Sequence, residues 1–277
     1  MKADLPAASE RRICRVLEIA RPSARPSKPK LPKPSKGIDE LEVRIHALAE
    51  QYPTWGYRRI WAWLRHREGV PLNRKKVYRI LKEQGWFVHQ RSSSPRPRIQ
   101  AKRSQAEASN RRWAVDVTHI PCGRDGWAHL VAVIDCHDRE LIGYEFALRG
   151  RAKEAERALE EACIRRYGCL RPPGEAPTVR SDNGLIFQSR RFRRALKDYR
   201  LSQEFITPYT PEQNGMIERF FRSLKEECTW QKNFSSFLEA KIEVSRWIEF
   251  YNQLRPHQSL GYLSPLEYRQ KECQSVA

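Results

Sequence analysis

Hydrophobic positions follow a helical spacing in the first part of the chain. The runs IDELEVRIHALAEQYP, GYRRIWAWLRHRE and NRKKVYRILKEQG place apolar residues three or four positions apart, and short turns containing proline or glycine separate them. This periodicity predicts three short helices. Three helices of this length fit a helix-turn-helix unit, which we assign to residues 38–89.

From residue 112 onward, apolar and polar positions alternate. The runs WAVDVTHI, GWAHLVAVID and LIGYEFAL predict three strands of an antiparallel meander, joined by the turn sequences PCGRDG and CHDRE. A helical run (KEAERALEEACIRRY), a short strand (PTVRSDNG), a helix (SRRFRRALKDYR) and a further strand (LSQEFITP) follow. The order predicts a mixed α+β or α/β sheet with helices packed on it, in a domain at residues 112–272.

Two polar stretches interrupt this pattern. Residues 1–37 contain one short helical run, SERRICRVLEIA, and then a segment rich in proline, serine and lysine. Residues 90–111 are again basic and polar. Neither stretch has enough apolar side chains to form a core, so both are predicted to be linkers around the helix-turn-helix unit.

Charge is distributed unevenly along the chain. Its net charge is +19, and residues 1–112 carry 27 Lys and Arg against 10 Asp and Glu, whereas the remainder carries 25 against 23. Such a basic segment attracts polyanions, and counterion release makes their binding depend on salt. We therefore expect double-stranded DNA as the partner, the alternative being a basic surface that only confers solubility.

The cysteines, the histidines and the apolar runs argue against a zinc-binding, a membrane-spanning or a secreted protein. The seven cysteines form no CxxC pair and the histidines have no zinc-ligand spacing, which fits a reducing compartment without structural zinc. No apolar run is long enough to span a bilayer, and the first residues lack the core of a signal peptide. The sequence predicts a cytoplasmic, nucleoid-associated protein without membrane contact.

The third predicted helix has a basic beginning and an apolar face. Arg74, Lys75 and Arg79 lie where a recognition helix meets bases or phosphates, whereas Val77 and the pair Ile80–Leu81 are predicted to face inward. The alternative is a basic helical hairpin that acts as a spacer or a protein contact.

Three carboxylates stand out in the second domain. Asp116 lies in mid-strand, where an unpaired acid is costly, and Asp182 ends a short strand before Asn183 and Gly184. Glu218 follows an Asn-Gly pair in the amphipathic helix of TPEQNGMIERFFRSLKEE. Taken singly, Asp182 is an ordinary turn residue and Glu218 an ordinary helix-surface residue. Taken together, they supply the oxygen ligands that Mg²⁺ or Mn²⁺ prefers.

Lys225 follows Glu218 by seven residues, which puts both side chains on one face of a helix. A lysine in that position can bind a phosphate as a point charge. The alternative is a pair of unrelated surface charges.

The segments WAVDVTHI, RSDNG and TPYTPEQNGMIERFFRSLK resemble the catalytic core of DDE-type insertion-sequence transposases, which are relatives of retroviral integrases. The helical segment beginning WGYRRIWAWLRHRE resembles the helix-turn-helix that precedes this core in elements with two overlapping reading frames. The resemblance covers about residues 40–270 and implies an RNase H-like five-stranded sheet.

The resemblance also implies roles for single residues. Asp116, Asp182 and Glu218 match the acidic triad that holds two Mg²⁺ or Mn²⁺ ions, Lys225 matches the basic residue after the glutamate, and Asn214 fits the family's pattern beside it. We assign Lys225 and Asn214, with Arg74, Lys75 and Arg79, to DNA binding. The implied reactions are cleavage at the transposon end, which frees a 3′-hydroxyl, and attack of that hydroxyl on a target strand.

Several features depart from the wider family. The chain has no His2Cys2 module and no leucine heptad array, so it resembles the product of the second reading frame alone. The expected partners are further copies of the chain on DNA and the upstream reading-frame product. Two alternatives are an inactive or domesticated DNA-binding protein and an RNase H-like nuclease.

Overall fold

The computed structural model describes residue 15 and residues 40–88, 105–207 and 211–276. The helical run predicted at residues 9–20 and most of the two predicted linkers lie outside these residues. The chain divides between Arg44 and Ile45, and Ile45–Ala277 form the larger unit. Everything described below lies in the larger unit, apart from the first five residues of helix α1.

Three short helices occupy the predicted helix-turn-helix segment. They are α1 (Glu40–Gln51), α2 (Tyr57–His66) and α3 (Arg74–Glu83). The side chain of Asn73 accepts a hydrogen bond from the backbone N–H of Lys75 and so caps α3. Val77, Ile80 and Leu81 are buried, which confirms the inward face predicted for the third helix.

The second domain contains a mixed sheet of five strands in the order β3-β2-β1-β4-β5. The strands are β1 (Arg112–Pro121), β2 (Trp127–Asp135), β3 (Leu141–Ala147), β4 (Thr178–Ser181) and β5 (Ser202–Phe205). The first three strands pair antiparallel, as predicted, and β4 and β5 run parallel to β1.

Helices cover both faces of this sheet. They are α4 (Ala152–Tyr167), α5 (Leu185–Gln188), α6 (Arg190–Asp198), α7 (Gly215–Leu224), α8 (Phe237–Gln253) and α9 (Pro265–Val276). Helix α7 continues into a wider π turn at Lys225–Thr229. Helix α9 extends four residues past the predicted end of the domain at residue 272.

Alternation along β1 creates two separate cores. Trp113 and Val115 pack with α4, α5 and α6 on one face of the sheet. Ala114 and Ile120 pack with α7 and α8 on the other. Successive side chains of a strand point to opposite faces, so Asp116 belongs to the face covered by α7.

The helix-turn-helix segment packs against the second domain through polar and aromatic contacts. Arg59 of α2 forms an ion pair with Glu227 at 2.9 Å, and Glu227 also binds Arg255 at 2.6 Å. Tyr52 stacks on Phe250 of α8 with 5.4 Å between ring centroids. These contacts connect the helices to α8 and to the π turn that follows α7.

A cluster of charges is buried beside β2 and β3. The guanidinium of Arg166 lies 2.9 Å from Asp138, 3.1 Å from Glu140 and 3.9 Å from Asp135, and the side chains are at most 2% exposed. Within the described part of the chain, no helix has the length and apolar character needed to cross a membrane.

Candidate active site

Asp116 occupies the middle of β1, on the sheet face that α7 covers. Its neighbours on that face, Ala114 and Thr118, are buried, and Asp116 itself is half-buried. One carboxylate oxygen accepts a hydrogen bond of 2.7 Å from the backbone N–H of Val117. This single bond leaves most of the carboxylate's acceptor capacity directed away from the backbone.

Asp182 follows directly after β4, beside Asp116. The last parallel pair between the two strands joins Ala114 to Arg180, and Asp116 and Asp182 each come two residues later. Neighbouring strands lie about 4.8 Å apart. Continuation of this register beyond the end of β4 would place the two aspartates at adjacent positions on the same face of the sheet.

Glu218 lies in the first turn of α7. Its neighbours Ile217, Phe220 and Phe221 are buried against β1 and β2, whereas Glu218 is exposed. Burial of the apolar face fixes how the helix is rotated on the sheet. The two phenylalanines therefore determine the direction in which the glutamate projects, at the edge of a groove that opens beside Asp116.

The ionisation of Asp116 responds to its burial and to the charges of the other two acids. The pKa of Asp116 is raised from 3.8 to about 7, first by burial and then by the charges of Asp182 and Glu218, while the N–H of Val117 and the charge of Lys225 lower it. Desolvation and like charges both disfavour the ionised form of a carboxyl group. The position of Asp116 is thus costly for an anion without a nearby cation.

An open groove of about 430 Å³ connects Asp116, Glu218 and Lys225. The predicted pairing of Glu218 with Lys225 on one face is therefore observed, although the helix widens into a π turn at Lys225. Sequence reasoning missed three further groove residues, Arg222, Glu226 and Trp230. Trp230 is 60% exposed, and such a large apolar side chain in a groove is a signal only once the fold is known.

Local contacts hold the turn after β4. The backbone N–H of Gly184 donates a hydrogen bond of 2.9 Å to Asp182 Oδ1. A Cβ atom at Gly184 would lie 2.9 Å from that same oxygen, so the glycine permits the observed carboxylate position. This close approach explains the glycine that follows the aspartate by two residues.

Asn214 immediately precedes α7 and is 3% exposed. Its Oδ1 atom has no hydrogen-bond partner among the described residues. The residue is buried at the start of the helix that carries Glu218.

In the described part of the chain, no three His, Cys, Asp or Glu side chains are grouped closely enough to hold a metal ion as they stand. Asp116 and Asp182 are instead bound to backbone N–H groups, and Glu218 also has a partner. Carboxylates repel one another, so a tight group forms only around a cation. The donor set is nevertheless of the kind that Mg²⁺ and Mn²⁺ prefer, because all three groups offer hard oxygens.

The basic side chains of α3 have the exposure that a nucleic-acid contact needs. Arg74, Lys75 and Arg79 are exposed, and the Arg74 guanidinium lies 5.9 Å from the ring centroid of Trp61. Arg255, in contrast, is 3% exposed and donates hydrogen bonds to Glu227. His257, two residues later, is also buried.

Comparison with known proteins connects this geometry to a family. Integrase core domain models match residues 106–211 and 199–265, and an HTH-like domain model matches residues 38–93. The chain is 29% identical over 252 residues to the transposase InsD for insertion element IS2A/D/F/H/I/K of Escherichia coli, covering 88% of this chain and 83% of the relative. The chain belongs to the insertion-sequence transposases. It is a DNA transposase, a polynucleotidyl transferase that acts in DNA transposition.

Further relatives of the transposase agree with this placement. Transposase InsD for insertion element IS2-9 of Escherichia coli strain K12 is also 29% identical, over 88% of this chain and 82% of the relative. The sheet of three antiparallel and two parallel strands is RNase H-like, as predicted, and is preceded by the HTH-like domain.

Two solved structures are similar to the transposase at low identity. One is the intasome of simian T-cell lymphotropic virus in complex with PP2A regulatory subunit B56 gamma, at 16% identity and a TM-score of 0.47, covering 82% of this chain and 73% of that one. The other is the HTLV-2 integrase catalytic core domain in complex with magnesium (trimeric form), at 17% identity and a TM-score of 0.46, covering 59% and 99%.

Proposed function

We propose that Asp116, Asp182 and Glu218 are the catalytic carboxylates of this transposase and that they hold two divalent cations, Mg²⁺ or Mn²⁺. The observation that carries the proposal is the register of β1 and β4, in which Asp116 and Asp182 each follow two residues after the Ala114–Arg180 pair. Glu218 and Asp116 line the same groove. The raised pKa of Asp116, caused first by burial and then by the other two acids, supports it independently.

The chemistry of the donor set fits these cations. Three carboxylates near one another are unfavourable until positive charge lies among them, and burial followed by the charges of Asp182 and Glu218 raises the pKa of Asp116. Two divalent cations, when bound, activate the attacking oxygen and stabilise the leaving oxygen of a phosphodiester displacement. Because a proton must leave Asp116 before it can act as a ligand, cation binding should release protons below about pH 7.

The proposed reaction has two displacement steps at phosphorus. Water attacks a phosphodiester at the element's end, a new P–O bond forms, and the P–O3′ bond breaks to free a 3′-hydroxyl. That oxygen then attacks a target phosphodiester, and the target's own 3′-oxygen leaves. Lys225 would hold a phosphate oxygen in the groove as a fixed positive charge. Asp182, bound to the N–H of Gly184, would keep its orientation through both steps.

The test is a cleavage and joining assay on labelled DNA that carries the ends of the encoding element. The wild-type chain, with Mg²⁺ or Mn²⁺, is expected to produce a 3′-hydroxyl at the end and a joined product with target DNA. Chelation of the metal should stop both steps without stopping DNA binding. Cleavage of equal rate in the presence of a chelator would refute the metal-dependent mechanism.

We also propose that α3 is the DNA-reading helix of the HTH-like domain. Its three basic side chains are exposed, and the opposite face is buried against the neighbouring helices. A helix held by one face and basic on the other suits insertion into the major groove. The capped start at Asn73 presents Arg74 and Lys75 at the end where recognition helices contact bases.

Replacing Arg74, Lys75 and Arg79 together by glutamine should weaken DNA binding. Each lost phosphate contact lowers the slope of log K against log salt by about 0.9, so three contacts lower it by about 2.7. Binding is measured by fluorescence anisotropy at several salt concentrations. The matched control replaces Arg157, Arg165 and Arg246, which are exposed on the second domain, and an equal loss in both variants would remove α3 from the DNA interface.

Finally, we propose that several copies of the transposase act together on DNA, and that the upstream reading-frame product is a further partner. The support is the resemblance to two-frame elements. Sedimentation of the chain with end DNA, with and without the upstream product, tests this proposal, and a single copy per DNA end in both samples would contradict it.

A further inference from the structure

A second cavity lies between the helix-turn-helix segment and the second domain. It has a volume of about 720 Å³, and five arginines line it: Arg58, Arg59, Arg139, Arg219 and Arg255. Its walls come from α2, the turn between β2 and β3, α7 and the segment after α8. No carboxylate lines it among the described residues. We call this cavity the arginine pocket.

The arginines differ in whether they already have partners. Arg59 and Arg255 are both bound to Glu227, at 2.9 Å and 2.6 Å. Arg58 donates hydrogen bonds to the neutral side chains of Tyr57 and Gln258. Arg139 and Arg219 have no carboxylate partner within salt-bridge distance in the part of the chain that the structure describes. One negative charge is therefore shared among five positive ones.

Burial and mutual repulsion lower the pKa values of two arginines of this pocket. Burial lowers the pKa of Arg59 to about 10, and the charges of Arg255 and Arg219 contribute in the same direction. Burial, followed by Arg219 and Arg255, also lowers the pKa of Arg139, although Tyr251 opposes this. The excess positive charge costs free energy that a bound anion would remove.

We propose that the arginine pocket binds a phosphate group of a DNA strand, at a site separate from the carboxylate groove. The planar guanidinium group matches phosphate oxygens with two parallel hydrogen bonds, so phosphate is the anion that this residue type suits best. The rings of Tyr57 and Tyr262 also line the pocket and offer apolar surface to a sugar or a base.

Three points favour a DNA strand over a small anion. The substrate of a transposase is DNA, and the cavity is far larger than one phosphate ion needs. Arg219 also follows Glu218 directly in α7, so one helix contributes to the carboxylate groove and to the arginine pocket. A strand that passes Glu218 can thus place another of its phosphates in the pocket. The inference depends on DNA as the substrate and not on the metal site.

The test uses the double variant Arg139→Gln, Arg219→Gln, because these two side chains hold no carboxylate. The matched control is Arg165→Gln, Arg246→Gln, which removes the same charge from exposed positions on α4 and α8. Affinity for a labelled single-stranded oligonucleotide and for its duplex is measured over a salt series in the presence of EDTA. Thermal unfolding confirms that each variant is folded.

The pocket variant is expected to bind the single strand about tenfold more weakly at low salt. The slope of log K against log salt should be lower by about 1.4, because each of two lost phosphate contacts on a single strand contributes about 0.7. The control should keep its slope. If the double variant does not fold, Arg219→Gln alone, whose side chain is exposed, is expected to lower the slope by about 0.7.

Inorganic phosphate and pyrophosphate, added alone, distinguish the source of the anion. Stabilisation of the wild type by pyrophosphate, without any effect of the variant on DNA affinity, would assign the pocket to a free anion and overturn the proposal. Unchanged DNA affinity and no response to either anion would overturn it as well. Since no cleavage occurs in EDTA, a failure of the catalytic proposal leaves this result unaffected.

Discussion

Asp116→Asn, Asp182→Asn and Glu218→Gln are each expected to reduce end cleavage and strand joining by about 10³-fold or more, which corresponds to roughly 4 kcal/mol of transition-state stabilisation. Each amide keeps the size of the side chain but removes the negative charge that would hold a cation. Because both reactions are proposed to use one site, both should fall together. The measurement is the rate of each step with Mg²⁺ at saturating enzyme.

The matched control for these variants is Glu226→Gln. Glu226 lines the same groove but is bound to Arg222 at 2.8 Å, so its loss should change either rate by only a few fold. DNA affinity should stay near the wild-type value in all four variants. If any one of the three carboxylate variants retains normal cleavage, the residue that it replaces is not catalytic.

Asp116→Asn is also expected to change how the thermal stability of the chain depends on pH. The pKa of Asp116 is about 7 in the folded chain, above its ordinary value of 3.8, mainly because of burial. Ionisation of Asp116 therefore lowers the stability of the fold as pH rises from about 4 to about 7. In EDTA at pH 8, the variant should unfold at a higher temperature than the wild type, so its loss of activity is not a loss of folding.

Much of the site was predictable because it depends on local patterns. Asp116 was predicted in mid-strand, and alternation along β1 puts it on the face of Ala114, which packs with α7 and α8. Helical spacing put Glu218 and Lys225 on one side, and both line the groove. The catalytic assignment itself came from the resemblance, since each acid taken alone has an ordinary structural explanation.

Contacts between distant segments were not predictable. Arg59 and Glu227 are 168 positions apart, and no local pattern indicates that they pair. The same holds for Arg255, which is buried against Glu227, a residue 28 positions earlier in the chain. The arginine pocket exists only because helices remote in sequence pack together.

The turn CHDRE is a second case in which contacts with a distant segment were not predictable. Its acids were interpreted as turn residues, and Asp138 does accept the backbone N–H of Glu140 as a turn residue would. Their burial and their shared cation, Arg166, depend on how α4 packs on the sheet. Sequence indicated the turn but not the buried ion cluster.

Arg166→Met is expected to lower the free energy of unfolding by about 3–5 kcal/mol, because it leaves the buried Asp138 without its cation, whereas Glu140 keeps an ion pair with Arg269 at 3.3 Å. The Arg166 side chain is fully buried, and its Nη2 atom alone makes the hydrogen bonds to Asp138. Burial disfavours the charge of Arg166, but Asp138, Glu140 and Asp135 outweigh it and raise the pKa of the guanidinium. Chemical denaturation at pH 7.5 measures the loss.

The neighbouring residue supplies the control. Arg165 lies on the same helix but is 38% exposed, and it forms an ion pair with Glu161 one turn away. Exposed pairs of this spacing contribute about 0.3–0.5 kcal/mol. Arg165→Met should therefore change the free energy of unfolding by less than about 1 kcal/mol. If Arg165→Met lost as much stability as Arg166→Met, the loss would come from placing methionine in α4 and not from removing the buried charge.

The pH dependence separates lost charge pairing from lost packing. Burial and the neighbouring Asp138 already raise the pKa of Asp135 to about 6, so ionisation of Asp135 lowers stability as pH rises through 6. Arg166 lowers the pKa of Asp135, so without Arg166 that pKa should rise further and Asp135 can then remain protonated at low pH. The destabilisation relative to the wild type should consequently be largest above pH 7 and shrink towards pH 5. If it is equal at both pH values, the arginine acts mainly by filling space, and the three acids do not depend on its charge.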